Sequence, residues 1–175
     1  MKIDWKSLAN KLNCGSSGGT PYARQALSQI IADEAIIDAI DYYISAKEGS
    51  ELARSVLWLL HPKAGIDYCY KIYKNEKENI ERKRSAVELL RVVADKSALM
   101  WSIEFLNDPD EGIQAWGAGL VDQLLWSDFV EKEDCQDILN IMKNHQNLAV
   151  RERYDFIMEF LNERIEANNG IDSDS

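Results

Sequence analysis

Cysteine is scarce in this 175-residue chain: Cys14, Cys69 and Cys135 stand far apart, an odd number with no Cys-x-x-Cys pair. That pattern speaks against a thiolate zinc site and favours reduced thiols in a cytoplasm. Histidine is scarcer, with only His61 and His145. Each falls at an expected helix end, where the dipole favours a cation, so both read as C-terminal charge partners rather than catalytic bases. The glycine-rich stretch Gly15-Ser16-Ser17-Gly18-Gly19 lacks the lysine and the preceding strand of a phosphate loop. Ser16 and Ser17 have no evident base partner for nucleophilic chemistry. No run approaches the ~20 apolar residues of a membrane span, and Met1-Lys2-Ile3-Asp4-Trp5-Lys6 lacks the apolar core of a signal peptide. Bases are outnumbered: 20 Lys and Arg against 30 acids leave a net charge of −10. Such a balance disfavours phosphate-backbone binding and suits a basic partner, because opposite fields speed encounter. Neither a metal nor a cofactor is expected, and no catalytic residue is assigned.

What is present is helix. The apolar share of 46% is enough for one domain with a core. Strand signals are nearly absent, while helix starts and stops are dense. The spacing predicts helices over Trp5–Leu12 and from Thr20-Pro21 to Ile31. Asp33 caps Ala35–Ala46 and Ser50 caps Glu51–Leu60. Pro62 forces a new start, for a helix holding Tyr68, Tyr70 and Tyr73. Ile80–Ala94 follows, then Ser97–Leu106 capped by Asp95. Asn107-Asp108-Pro109-Asp110 is a turn whose last Asp caps Glu111–Trp126. Glu131–Asn144 and Leu148–Ala167 complete the series, and the polar end, 168–175, reads as a frayed tail. Gly117 and Gly119 sit mid-helix, where glycine costs about 0.8–1 kcal/mol against Ala, so they mark a close helix–helix approach. The reading is a single all-α domain over 1–167.

The helices repeat. Arg24, Arg54 and Arg84 recur at thirty-residue intervals, and Gln114 takes the next position. A looser copy opens at Val150-Arg151. Self-similarity at this period marks a solenoid of stacked supersecondary units. In the helix opened by Ser50, Leu52, Ala53, Val56, Leu57 and Leu60 form one apolar stripe at helical spacing, which only stacking neighbours can bury.

Ala94-Asp95-Lys96-Ser97-Ala98-Leu99, leading to Phe105-Leu106-Asn107-Asp108-Pro109-Asp110-Glu111-Gly112-Ile113-Gln114, resembles a complete HEAT repeat. The family pattern has a Gly/Ala-Asp entry, an Asp-Pro-Asp turn and a Val-Arg pair opening the second helix; Ile113-Gln114 departs from that pair and Val150-Arg151 keeps it. The resemblance covers roughly residues 20 to 165 and implies a short right-handed α-solenoid of stacked antiparallel helix pairs. It also puts the second helix of each pair on the concave side.

Subtracting the apolar stripe leaves a second one. Glu51, Arg54, Ser55 and Trp58 lie at i, i+3, i+4 and i+7 and share a face. Glu81, Arg84, Ser85 and Glu88 follow thirty residues on, then Glu111 and Gln114, with Asp122 and Trp126 beyond. One reading is a ladder of Glu–Arg pairs holding the repeats in register. The other is a partner-binding face of Glu51, Arg54, Trp58, Glu81, Arg84, Glu88, Gln114, Asp122 and Trp126, because Trp and Arg are enriched at binding hot spots. Asp128, Glu131, Glu133, Asp134 and Asp137 form an acid cluster read as a solvated loop and helix start, or as a docking patch for a basic partner. A compact, acidic, stand-alone chain of this kind resembles bacterial immunity proteins that neutralise a toxin. The expectation is a non-catalytic, cytoplasmic monomer or 1:1 complex that binds a basic, nuclease-type toxin, with no nucleic acid or membrane partner. The alternatives are a HEAT-repeat adaptor or regulatory subunit and a HEAT-like DNA glycosylase, the latter disfavoured by the charge.

Overall fold

The computed structural model describes residues 31–93 and 95–171, with side chains as far as residue 164. The Arg24 copy, Cys14, the glycine-rich loop and the first two expected helices lie outside the described residues. Eight α-helices run through the rest, with no strand among the described residues: α1 Asp33–Ile44, α2 Ser50–Leu60, α3 Lys63–Lys74, α4 Ile80–Val93, α5 Trp101–Leu106, α6 Glu111–Trp126, α7 Gln136–Lys143 and α8 Leu148–Ile171. The described residues are all-α, as their periodicity predicts. Two 3₁₀ turns, Lys96–Ala98 and Lys132–Cys135, precede α5 and α7.

Contacts divide the chain into two compact units, one ending at Ala98 and the other starting at Leu99. In the first, α1 packs on α2 and α3 on α4, while α1 also packs on α3 and α2 on α4. In the second, α5 packs on α6 and α7 on α8, while α5 also meets α7 and α6 meets α8. Among the described residues each unit thus holds two consecutive helix pairs, first helix against first and second against second.

The apolar stripe drives this packing. On α2, Ala53, Val56, Leu57 and Leu60 are buried as expected and Leu59 joins them, whereas Leu52 is only half-buried. The stripe's equivalents Ala86, Val87 and Leu90 on α4 are buried likewise. A fully buried Leu contributes about 1.5–3 kcal/mol by area. Gly117 allows the tightest approach: a Cβ there would stand 2.5 Å from Cβ of Phe105 across α5 and α6. Gly119 is buried on the same helix.

Helix ends differ from expectation in several places. Ala32, in an extended conformation, holds the N-cap position of α1, and Asp33 is the first helical residue. Its carboxylate still favours the positive end of the dipole. Ser50 is the buried first residue of α2, and Gly49 at φ 81° precedes it, so the turn is made by glycine's left-handed freedom and not by a hydroxyl cap. The expected helix 97–106 is broken: Asp95 Oδ1 accepts from the Ser97 N–H at 2.8 Å, but the turn it starts is 3₁₀ and α5 begins only at Trp101. Glu131–Asn144 divides the same way, with Glu131 and Asp134 forming a reciprocal capping box on the 3₁₀ turn. By contrast α6 matches its expected limits, capped by Asp110 Oδ1 at 3.0 Å from the Ile113 N–H. At the other end α8 continues to Ile171, so the backbone of 168–171 is helical where a frayed tail was expected.

Candidate functional site

Six of the nine expected contact residues lie on α2 and α4, which pack together within the first unit. Arg54 and Glu51 pair at 3.2 Å, and Arg84 and Glu81 at 2.8 Å, each across one turn of its own helix. Each of these two pairs runs along its own helix. Both are largely solvated on the glutamate side, and exposed pairs of this spacing give only about 0.3–0.5 kcal/mol. Trp58 stands on the same face with 47% of its surface exposed, which confirms that its indole lies outside the core.

The helices are cross-linked by other groups. The Tyr43 phenol on α1 lies beside the Glu88 carboxylate on α4. Burial pushes the Tyr43 phenol well above its ordinary range; the Glu88 carboxylate adds to that, Arg54 opposes it and Glu51 adds a little more. Glu51, Arg54 and Glu88 therefore converge on one phenol. A second knot joins α1, α3 and α4: the Tyr68 hydroxyl donates to Asp41 at 3.1 Å, and Arg82 bonds Asp41 at 2.5 Å and Glu78 at 3.2 Å. Periodicity concealed both knots, because their members fall at different positions of the repeat.

The remaining three residues lie in the second unit. Gln114 spends its amide on structure: Nε2 donates to the Asp108 carbonyl at 2.7 Å, and Oε1 accepts from Asn147 at 2.9 Å. Arg151, at the equivalent point of α8, donates to the carbonyls of His145 and Gln146. Gln114 and Arg151 thus each tie the loop before their own helix. Asp122 pairs with Arg153 at 2.8 Å, and the guanidinium of Arg153 lies 5.7 Å from the Phe156 ring centroid. Trp126 is 56% exposed and lies 4.6 Å from Phe160, centroid to centroid.

The two histidines act differently from expectation. His61 occupies the left-handed C-cap of α2 and its Nδ1–H donates to the last carbonyl of α4, Val93, at 3.0 Å. His145 Nε2–H donates to the last carbonyl of α5, Leu106, at 2.8 Å, and Nδ1 accepts from the Asn147 N–H. Each satisfies a helix terminus other than its own through a directed bond.

Within the acid cluster, Asp128 adopts a left-handed φ of 56° and pairs with Arg164 at 2.6 Å. Glu131 and Asp134 serve the capping box, and Asp137 sits in the first turn of α7. Beside them is a cleft of about 290 Å³ lined by Leu125, Val130, Leu161, Asp128, Glu131 and Arg164 among others. No family model, curated protein or solved structure matches the chain. Among the described residues no group of three or more His, Cys, Asp or Glu is placed to hold a metal ion, and no helix is long and apolar enough to cross a membrane. Cys69 and Cys135 are buried thiols; Cys14 lies outside the described residues.

Sequence reasoning missed Arg153, Phe156, Phe160 and Arg164. All four were legible in principle, as one face of the final helix at i, i+3, i+7 and i+11.

Proposed function

We propose that this chain is a non-catalytic, cytoplasmic protein-binding module of HEAT-like α-solenoid architecture, which binds and blocks a basic, nuclease-type toxin. The paired packing of first helices on first and second on second supports the solenoid reading. The carrying observation is Trp58, an indole 47% exposed beside a Glu51–Arg54 pair whose carboxylate is solvated, on a chain of net charge −10. Exposed indoles set among charges are what interface hot spots use, and the net field steers a cationic partner.

The test is inhibition. The purified chain is used to capture its partner from the source cell, and the partner's activity is then titrated against the chain. A basic partner silenced near one equivalent is expected. The double variant Trp58→Ala, Arg84→Glu should weaken binding by tenfold or more, about 1.4 kcal/mol. A partner that is acidic, or whose activity is untouched at excess chain, refutes the reading. Base excision by the chain alone would replace it with the glycosylase alternative.

A further inference from the structure

The outer face of α8 carries two parallel rows. Arg153, Phe156, Phe160 and Arg164 share one stripe. One position earlier in every case stands an exposed acid: Glu152, Asp155, Glu159 and Glu163. A helix turns about 100° per residue, so the acids form a second row beside the first, running about 16 Å along the axis. The α6 helix completes the face with Trp126 on Phe160 and Asp122 on Arg153, and Asp128 follows on Arg164. Trp126 and Phe156 remain 56% and 46% exposed.

Both arginines are held by aspartates, so their charge is offset within the face. Counting the rows with Asp122 and Asp128, two guanidiniums stand against six carboxylates. The result is an apolar aromatic strip with a surplus of negative charge along one edge. Phosphate groups are repelled by such a surface, whereas a cationic polypeptide with an apolar side matches both rows.

We propose that the α6–α8 face docks a basic amphipathic segment of a protein partner. A large apolar side chain would lie on Trp126, Phe156 and Phe160, and Lys or Arg side chains would lie along the 152–163 row. This rests on the binding-module reading only in taking a polypeptide as occupant; it assigns a contact surface that the thirty-residue rows did not reveal.

The probe is a synthetic fourteen-residue peptide of Lys and Leu in amphipathic order, with a Glu/Leu peptide as control, titrated into the isotopically labelled full chain. The Lys/Leu peptide should shift the Trp126 indole and the amides of 152–164, more weakly as salt rises, and the Glu/Leu peptide should not. Trp126→Ala with Phe156→Ala, and separately Glu152→Lys with Glu159→Lys, should each cost about tenfold in affinity. Asp33→Lys with Glu34→Lys changes the charge equally in the first unit and should cost less than about threefold. Equal losses from both charge reversals would show bulk attraction only and overturn the proposal. So would shifts centred elsewhere, or a dimer that dissociates on Trp126→Ala, since the face would then belong to a second copy. Peptide binding without any toxin inhibition defeats the proposed function alone; toxin inhibition without peptide binding defeats this proposal alone.

Discussion

A glycine and a phenylalanine show most clearly how single atoms set this structure. Gly117 sits mid-helix against Phe105, which is fully buried. Replacing it by Ala gains up to about 1 kcal/mol of helix propensity. The new Cβ, however, would lie 2.5 Å from the Phe105 Cβ, and overpacking of this kind costs about 1–3 kcal/mol. The steric term wins. Gly117→Ala is expected to lower the melting temperature, as read by calorimetry; a rise would mean that α5 and α6 do not approach this closely. The close approach was legible in the sequence, because a glycine at a buried helical position invites it. Its partner was not, since nothing in the chain names Phe105 as the opposing residue.

At the scale of elements, the caps separate two kinds of reading. Asp110 bonds the Ile113 N–H and begins α6, whereas Asp33 makes no cap bond and simply occupies the first turn of α1. Asp110→Ala is expected to cost about 1 kcal/mol in urea unfolding, and Asp33→Ala only a few tenths. Equal effects would contradict the assigned caps. The difference arises because a cap needs the residue just outside the helix to be extended while its side chain folds back. Asp110, next to Pro109, meets that condition; at α1 the extended residue is Ala32. The sequence pattern Asp-Pro-Asp located one start well, and a lone Asp two residues before an apolar run located the other one residue too late. The two histidines make the same point. Their positions at helix ends were visible, but the carbonyls they reach belong to helices 32 and 39 residues away.

For the molecule as a whole, burial sets the response to alkali. The Cys69 thiol is wholly buried and pushed far above its ordinary value of 9.0 by desolvation, then by Asp41, with Arg82 opposing. Tyr43 and Tyr68 are raised from 10.0, burial again being the largest cause. A group whose folded pKa exceeds its unfolded one stabilises the fold fully below the unfolded value, and that contribution is lost as pH rises past it. Stability should therefore hold to about pH 9 and then fall, Cys69 alone contributing about 1.4 kcal/mol per pH unit. The tyrosines steepen the fall above about pH 10. Urea unfolding of wild type and Cys69→Ala across this window checks it: the variant should stay flatter between about pH 9 and 10. Identical slopes would mean that Cys69 is reached by solvent. Charge acts at the same scale, since a net −10 makes any partner association sensitive to salt.

By itself the sequence determined the helical class, the buried stripe of α2 and α4, the limits of α6 and the exposure of Trp58. Each of these follows from local periodicity or from a cap a few residues away. Only the tertiary structure decided which helix meets which, and it alone brought Tyr43 to Glu88, Arg82 to Asp41 and Trp126 to Phe160. Those pairings join side chains from different turns of the repeat, with no shared spacing to announce them. Chain distance carries no trace of a contact made by packing.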